Sequence, residues 1–203
     1  MKLLHLDSSI LGENSVSRSL SKAAVDRLRT EIPDLEVTYH DLVADPIAHL
    51  TGRYLAGQSP DVQHDQALQE DIAQGGRVLD AFLTADIVVI GVAFYNFTIS
   101  SQLKAWIDRV TVAGKTFRYT EAGPEGLAGD KRVILTVARG GFYGAETPRA
   151  PFEHAETYLR SVLGFIGVTE PEVIVAEGLA TGPEQRNKAT TDALEAIAVL
   201  RAA

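Results

Sequence analysis

Three stretches of this chain carry residue types and spacing suited to holding a small ligand. The first is Ser8-Ser9 followed by Ser15, Ser17 and Arg18. Serine hydroxyls beside the start of a helix, where backbone N–H groups lack partners, form a set of neutral donors fit for a phosphate. The same serines would also serve as helix caps and turn residues. The second stretch is Phe94-Tyr95-Asn96-Phe97. Three rings and one amide suit a flat heterocycle with a polar rim, since rings cover its faces while Asn96 and backbone groups read its edge. A packed loop with a turn-forming Asn is the plainer alternative. The third is Arg139-Gly140-Gly141, where two glycines allow a ligand close to the backbone, or make a turn.

Other chemistries find little support. The chain has no cysteine, which removes disulfides, thiol redox chemistry and thiolate metal sites. His5, His40, His49, His64 and His154 have no metal-ligand spacing. There is no G-x-S-x-G elbow, no G-x-G-x-x-G fingerprint and no G-x-x-x-x-G-K-[ST] loop. The net charge of −8, from 27 acidic and 19 basic residues, argues against nucleic acid or an anionic membrane as partner. No apolar run approaches the roughly 20 residues that a bilayer span needs. Met1 leads straight into a strand pattern without a secretory h-region, so the expected compartment is the cytoplasm.

The elements that must position these stretches follow from periodicity. Asp86 to Val92 is a continuous β-branched apolar run with no polar face, the pattern of a strand buried on both sides of a parallel sheet. Further strands are expected at Lys2–Asp7, Leu35–His40, Lys131–Ala138 and Pro171–Ala176. Helical spacing marks Leu20, Ala24, Val25 and Leu28, with Ser15 or Ser17 as N-cap, then Gln66–Leu83, and a third helix through Leu103, Trp106, Ile107 and Val110. Trp106 and Phe165 fit apolar core patterns rather than ligand contacts. Helices are also expected over Pro151–Ile166 and Pro183–Leu200, the latter after Gly182. Lys115 to Leu127 reads as a hairpin or excursion. Asp41 to Asp65 is too long for an idle connection and is expected to cover a site or meet a partner.

Five strands alternating with five helices predict one α/β domain over 1–203, a three-layer sandwich with a five-stranded parallel sheet and helices on both faces. The order 2-1-3-4-5 sets the first and third strands side by side at a topological switch point, with all three candidate stretches on one rim.

On these residues the chain resembles the FMN-dependent NADH-azoreductases, within the flavodoxin-like quinone reductases. The resemblance spans nearly the whole chain. It is carried by Ser8-Ser9-Ile10-Leu11 with Ser15 and Ser17, Tyr95-Asn96-Phe97 with Ile99-Ser100 and Gln102-Leu103-Lys104, and Thr116-Phe117-Arg118-Tyr119-Thr120-Glu121 with Gly123-Pro124-Glu125-Gly126-Leu127. Arg139-Gly140-Gly141 and Leu163-Gly164-Phe165-Ile166-Gly167 complete it. Two departures are Ala93-Phe94, where the family usually has Pro-Met, and Ala138, where it has Ser.

The resemblance implies FMN as cofactor. Ser9, Ser15, Val16 and Ser17 would hold its phosphate, Phe94, Tyr95, Asn96 and Phe97 its ring, and Arg139, Gly140 and Gly141 the pyrimidine side. It implies NADH or NADPH as hydride donor and a quinone or azo acceptor, with the flavin carrying the redox chemistry and no side-chain nucleophile. A ring clamp of Tyr95, Asn96 and Phe97 on one side would leave a single open face, which predicts ping-pong kinetics. The resemblance also implies a homodimer with the flavin at the interface, for which Asp41 to Asp65 and the substrate-side residues Phe117 and Tyr119 would line the shared cleft. The rival from another class is a flavin-binding electron carrier or sensor that turns over no small substrate. Such carriers resemble sequences with a T/S-x-T-G-x-T loop, whereas here the loop from Ser9 to Ser17 is longer.

Overall fold

The computed structural model describes residues 1–202. Strands β1 (Lys2–Asp7), β2 (Glu36–Asp41) and β3 (Ile87–Ala93) alternate with helices α1 (Val16–Glu31), α2 (Gly52–Ala56) and α3 (Gln66–Thr84). Then come α4 (Ser101–Val110), the strands β4 (Phe117–Thr120) and β5 (Gly123–Gly126), β6 (Arg132–Ala138), α5 (Ala155–Phe165), β7 (Glu172–Ala176) and α6 (Pro183–Ala198). The main sheet has the order β2-β1-β3-β6-β7 and all its pairings are parallel. With the β4–β5 hairpin set aside, this is the expected 2-1-3-4-5. The fold is flavodoxin-like.

Every residue of β3 is buried, as its unbroken apolar run requires. One face of the sheet packs Leu20, Ala24 and Leu28 of α1 with Ala189, Ala193 and Ile197 of α6. The other packs Phe82 of α3, Leu103 and Trp106 of α4, and Leu159 and Leu163 of α5. Trp106 is core, edge-on to Phe82 at 5.6 Å. Phe165 packs against this second core from its margin.

Three local outcomes refine the sequence reading. Ser15, not Ser17, caps α1, its hydroxyl accepting from the Arg18 N–H at 3.3 Å. The helix expected over 151–166 starts later: Ala150–Phe152 forms a single 3-10 turn, and the Glu153 carboxylate accepts from the N–H groups of Ala155, Glu156 and Thr157, fixing the start of α5. The 41–65 segment contains α2, capped by Thr51, and is fastened to the α3 and α4 side. There the buried Arg109 guanidinium lies 3.7 Å from the Tyr54 ring centroid and donates to the Ala48 carbonyl and to Asp71.

The hairpin docks at the end of the molecule where the strands begin. It hands the chain on to β6, and the Ala128 N–H donates to the Ile166 carbonyl at 2.8 Å. Contact is backbone to backbone, because a Cβ on Gly126 would overlap Ile166 and Gly167, and Gly167 itself has φ +108°. No helix among the described residues is long and apolar enough to cross a membrane.

Candidate cofactor site at the C-terminal rim of the sheet

The C-terminal ends of β1, β3 and β6 and the loops they feed surround a cavity of about 250 Å³. From β1 and α1 it receives Ser9, Ser15, Val16 and Ser17; from β3, Phe94 and Tyr95; from β6, Gly140. Seven of the residues singled out in the sequence thus meet in one place.

Buried polar contacts fix the loops. Ser8 Oγ donates to the Gly91 carbonyl at 2.8 Å, and Ser9 Oγ and Tyr95 Oη are hydrogen-bonded at 3.0 Å. Tyr95 Oη also accepts from the Ile10 N–H at 3.2 Å, which ties the aromatic stretch to the serine loop. Ser15 and Ser17 hydroxyls lie 3.1 Å apart. At the start of α1 the N–H groups of Val16 and Ser17 have no helical carbonyl to bond, so donors and the positive end of the helix dipole face the cavity. Gly91 makes the close seating of α1 possible: a Cβ there would overlap the Asp7 carboxylate and stand 3.2 Å from the Ser17 carbonyl.

Asn96 and Phe97 occupy a two-residue turn closed by paired bonds between Tyr95 and Thr98 at 2.9 and 3.0 Å, with φ of +47° and +75°. Asn tolerates that region, whereas Phe is strained in it, the kind of backbone strain that gathers at binding sites. Phe97 is 46% exposed, with Phe152 at 5.3 Å and Tyr143 at 6.3 Å, while Phe94 packs on Tyr143 at 4.6 Å.

Arg139 is at the rim through its backbone, while its side chain is committed elsewhere. Its side chain is 3% exposed and turned away from the cavity into three carboxylates, Glu156 at 2.8 Å, Glu153 at 3.3 Å and Glu177 at 3.7 Å. Burial pushes the Glu153 carboxyl up, but the N–H groups of Glu156 and Thr157 and the Arg139 charge carry it below its ordinary value. What Arg139 gives the rim is backbone. Its carbonyl accepts from the Leu179 N–H at 3.2 Å, and those of Gly140 and Gly141 accept from Ala180 and Gly178 at 2.9 and 3.1 Å. Gly141 stands beside Tyr143 and Arg149 rather than in the lining.

Arg18 is likewise committed. It donates to both Asp41 oxygens at 2.6 and 2.7 Å and to the Ser9 carbonyl at 2.8 Å, and this hydrogen bonding holds the Asp41 carboxyl down at about 2.

Phe117 and Tyr119 are not brought to the cavity. Both stand on the hairpin at the opposite end of the sheet, Phe117 buried against Phe165 at 4.6 Å and Tyr119 74% exposed. The sequence reading also missed Leu11, Asn14, Leu179, Ala180 and Arg186, which complete the lining with Ala93 and Ala138. A signal for the β7 loop existed, since every strand of a parallel sheet delivers its following loop to the same edge.

Fold and site together define a flavodoxin-like α/β domain whose switch-point cavity offers neutral phosphate donors at one side and aromatic rings at the other. The flavodoxin-like fold family matches residues 1–200. An FMN-dependent NADH:quinone oxidoreductase of Methylorubrum populi is 61% identical over 203 residues, covering all of both chains. The solved azoreductase AzrA superposes with TM-score 0.88 at 32% identity, covering 98% of this chain and 97% of that one. An azoreductase from Bacillus anthracis does so with TM-score 0.86 at 34% identity and the same coverage. The chain belongs to the flavodoxin-like family, in the group of FMN-dependent quinone oxidoreductases and azoreductases.

Proposed function

We propose that this chain is an FMN-dependent oxidoreductase that takes hydride from NADH or NADPH and passes it to quinones and aromatic azo compounds. The observation that carries the reading is the single cavity in which Ser9, Ser15, Val16 and Ser17 meet Phe94, Tyr95 and Gly140. These residues fit FMN: buried hydroxyls and open helix N–H groups match a phosphate, and rings beside bare glycine backbone match a flat heterocycle. Bound there, FMN would supply the hydride chemistry of both half-reactions.

The chain's own work is binding and orientation. The serine loop and the first turn of α1 anchor the phosphate. Phe94 and Tyr95 in the lining, with Asn96 and Phe97 on the adjoining turn, would cover one side of the ring and leave one face for donor and acceptor in turn. The Gly140 and Gly141 backbone, held against Gly178 and Ala180, forms the edge at the pyrimidine side.

The working form is a homodimer in the cytoplasm. Exposed Phe97, Phe142 and Phe152 leave an apolar margin around the cavity that a second copy would cover. Tyr119, on a hairpin far from its own cavity, is available to a partner's cleft, as are Leu50 and Leu55 of the 41–65 segment.

The test is an anaerobic reaction of the FMN-loaded protein. NADH is expected to bleach the flavin absorbance, menadione to restore it, and initial rates to give parallel double-reciprocal lines. Absence of bleaching would favour the electron carrier, and intersecting lines would require two substrate sites.

A further inference from the structure

The phosphate end is made of neutral donors, yet a phosphate monoester carries about −1.5 to −2 charges at neutral pH. The chain's net charge of −8 opposes its approach. Two arginines near the rim are already neutralised, Arg18 by Asp41 and Arg139 by its three glutamates. Arg186 is different. It lines the cavity with Ser15 and Ser17, and its side chain makes no ion pair or hydrogen bond among the described residues. No carboxylate shares the lining, so Arg186 is its one charged side chain.

The packing of α6 on α1 explains how it gets there. Ala189, Ala193 and Ile197 form the stripe of α6 that meets Leu20, Ala24 and Leu28 of α1. Arg186 stands one turn before Ala189 and is itself exposed, at the end of the packed stripe where the cavity begins, and helical side chains lean toward the N-terminus, which carries it to the lining it shares with Ser15 and Ser17. The turn that carries it is held by the backbone bonds from Leu179 and Ala180 to Arg139 and Gly140. A cation that lines the same cavity as the start of α1 shares it with the positive end of that helix dipole, an arrangement that an anion lying between them would turn from unfavourable to favourable.

We infer that Arg186 supplies the counter-charge for the cofactor phosphate and so sets the preference of this site for FMN over riboflavin. The inference rests on the FMN reading above, and names a residue from α6, outside the serine loop, as part of the phosphate subsite.

The experiment measures flavin binding by fluorescence quenching on the full chain freed of flavin, for wild type, Arg186→Gln and Arg186→Lys, with FMN and riboflavin at low and high salt. Arg186→Gln is expected to weaken FMN about tenfold, the scale of one charge-assisted hydrogen bond, and to flatten the salt dependence. Riboflavin binding should be unchanged, and Arg186→Lys should recover most of the FMN affinity. Unchanged FMN binding in Arg186→Gln would overturn the inference while leaving the FMN reading intact. Equal weakening of both flavins would also overturn it, by making Arg186 a contact of the ring or the fold. A wild type that binds neither flavin would refute the FMN reading itself.

Discussion

The two ends of the central sheet are built on opposite terms. At the C-terminal rim the chain keeps a cavity open, tolerates positive φ at Asn96 and Phe97, and leaves Phe97 and Phe152 about half exposed. At the other end the β4–β5 hairpin is pressed onto the end of α5 so closely that Gly126 has no room for a side chain. Both ends depend on glycine, for different reasons. Gly140 borders the cavity, whereas Gly126 leaves space only for the backbone of Ile166 and Gly167.

One substitution made at both ends gives the sharpest contrast and the largest effect. Gly126→Ala must push the hairpin off α5, and because the obstruction is backbone it should cost about 3 kcal/mol, the upper part of the usual overpacking range. For a chain of this size that lowers the melting temperature by about 6–12 °C. Its FMN affinity should stay near wild type, since the cavity is at the far end. Gly140→Ala should do the reverse: its Cβ would sit at an ordinary 3.4 Å from Ala180 Cβ, so melting should hardly move while FMN binding weakens. Equal behaviour of the two variants would remove the distinction between the ends.

A smaller effect concerns what the rim contributes to folding. In the folded chain the Asp41 carboxyl titrates at about 2 rather than at its ordinary 3.8, chiefly through its hydrogen bond with Arg18. The unfolded chain therefore binds this proton more readily. The pair's contribution is complete above about pH 4 to 5 and is lost as pH falls through the folded value. Allowing for solvent screening it amounts to about 1 kcal/mol. Urea midpoints measured from pH 5 to pH 2 should fall less steeply in Asp41→Asn than in wild type. Identical slopes would mean that Arg18 and Asp41 hold the serine loop without stabilising the fold.

The difference between the ends also accounts for what could be read from the sequence. The apolar run of β3 and the helical spacing of Leu20, Ala24 and Leu28 state their own burial, so the sheet, its order and the rim follow. Ser8-Ser9 and Phe94-Tyr95 are legible because each pair sits directly after a strand, and Ser15 and Ser17 because they mark the start of α1. The surroundings of the Arg139 side chain were not legible for a physical reason: its partners Glu153, Glu156 and Glu177 lie 14 to 38 positions further along the chain, and no local pattern marks an arginine as buried among carboxylates. Arg186 was invisible because its role depends on the face α6 turns to α1. The remoteness of Phe117 and Tyr119 from the cavity depends on the glycine contact at Gly126 and Gly167, which is a property of two distant segments taken together.

The claim that the rim holds FMN with its phosphate on the serine loop is tested most directly by comparing two flavins on one variant. Ser9→Ala combined with Ser17→Ala removes two hydroxyls from the cavity, at about 0.5–1.5 kcal/mol for each lost hydrogen bond. Dissociation constants from fluorescence quenching should show FMN binding weakened by roughly 1–3 kcal/mol in total and riboflavin, which lacks the phosphate, unchanged. Equal weakening of both ligands would show that these serines only shape the loop and that the phosphate is held elsewhere.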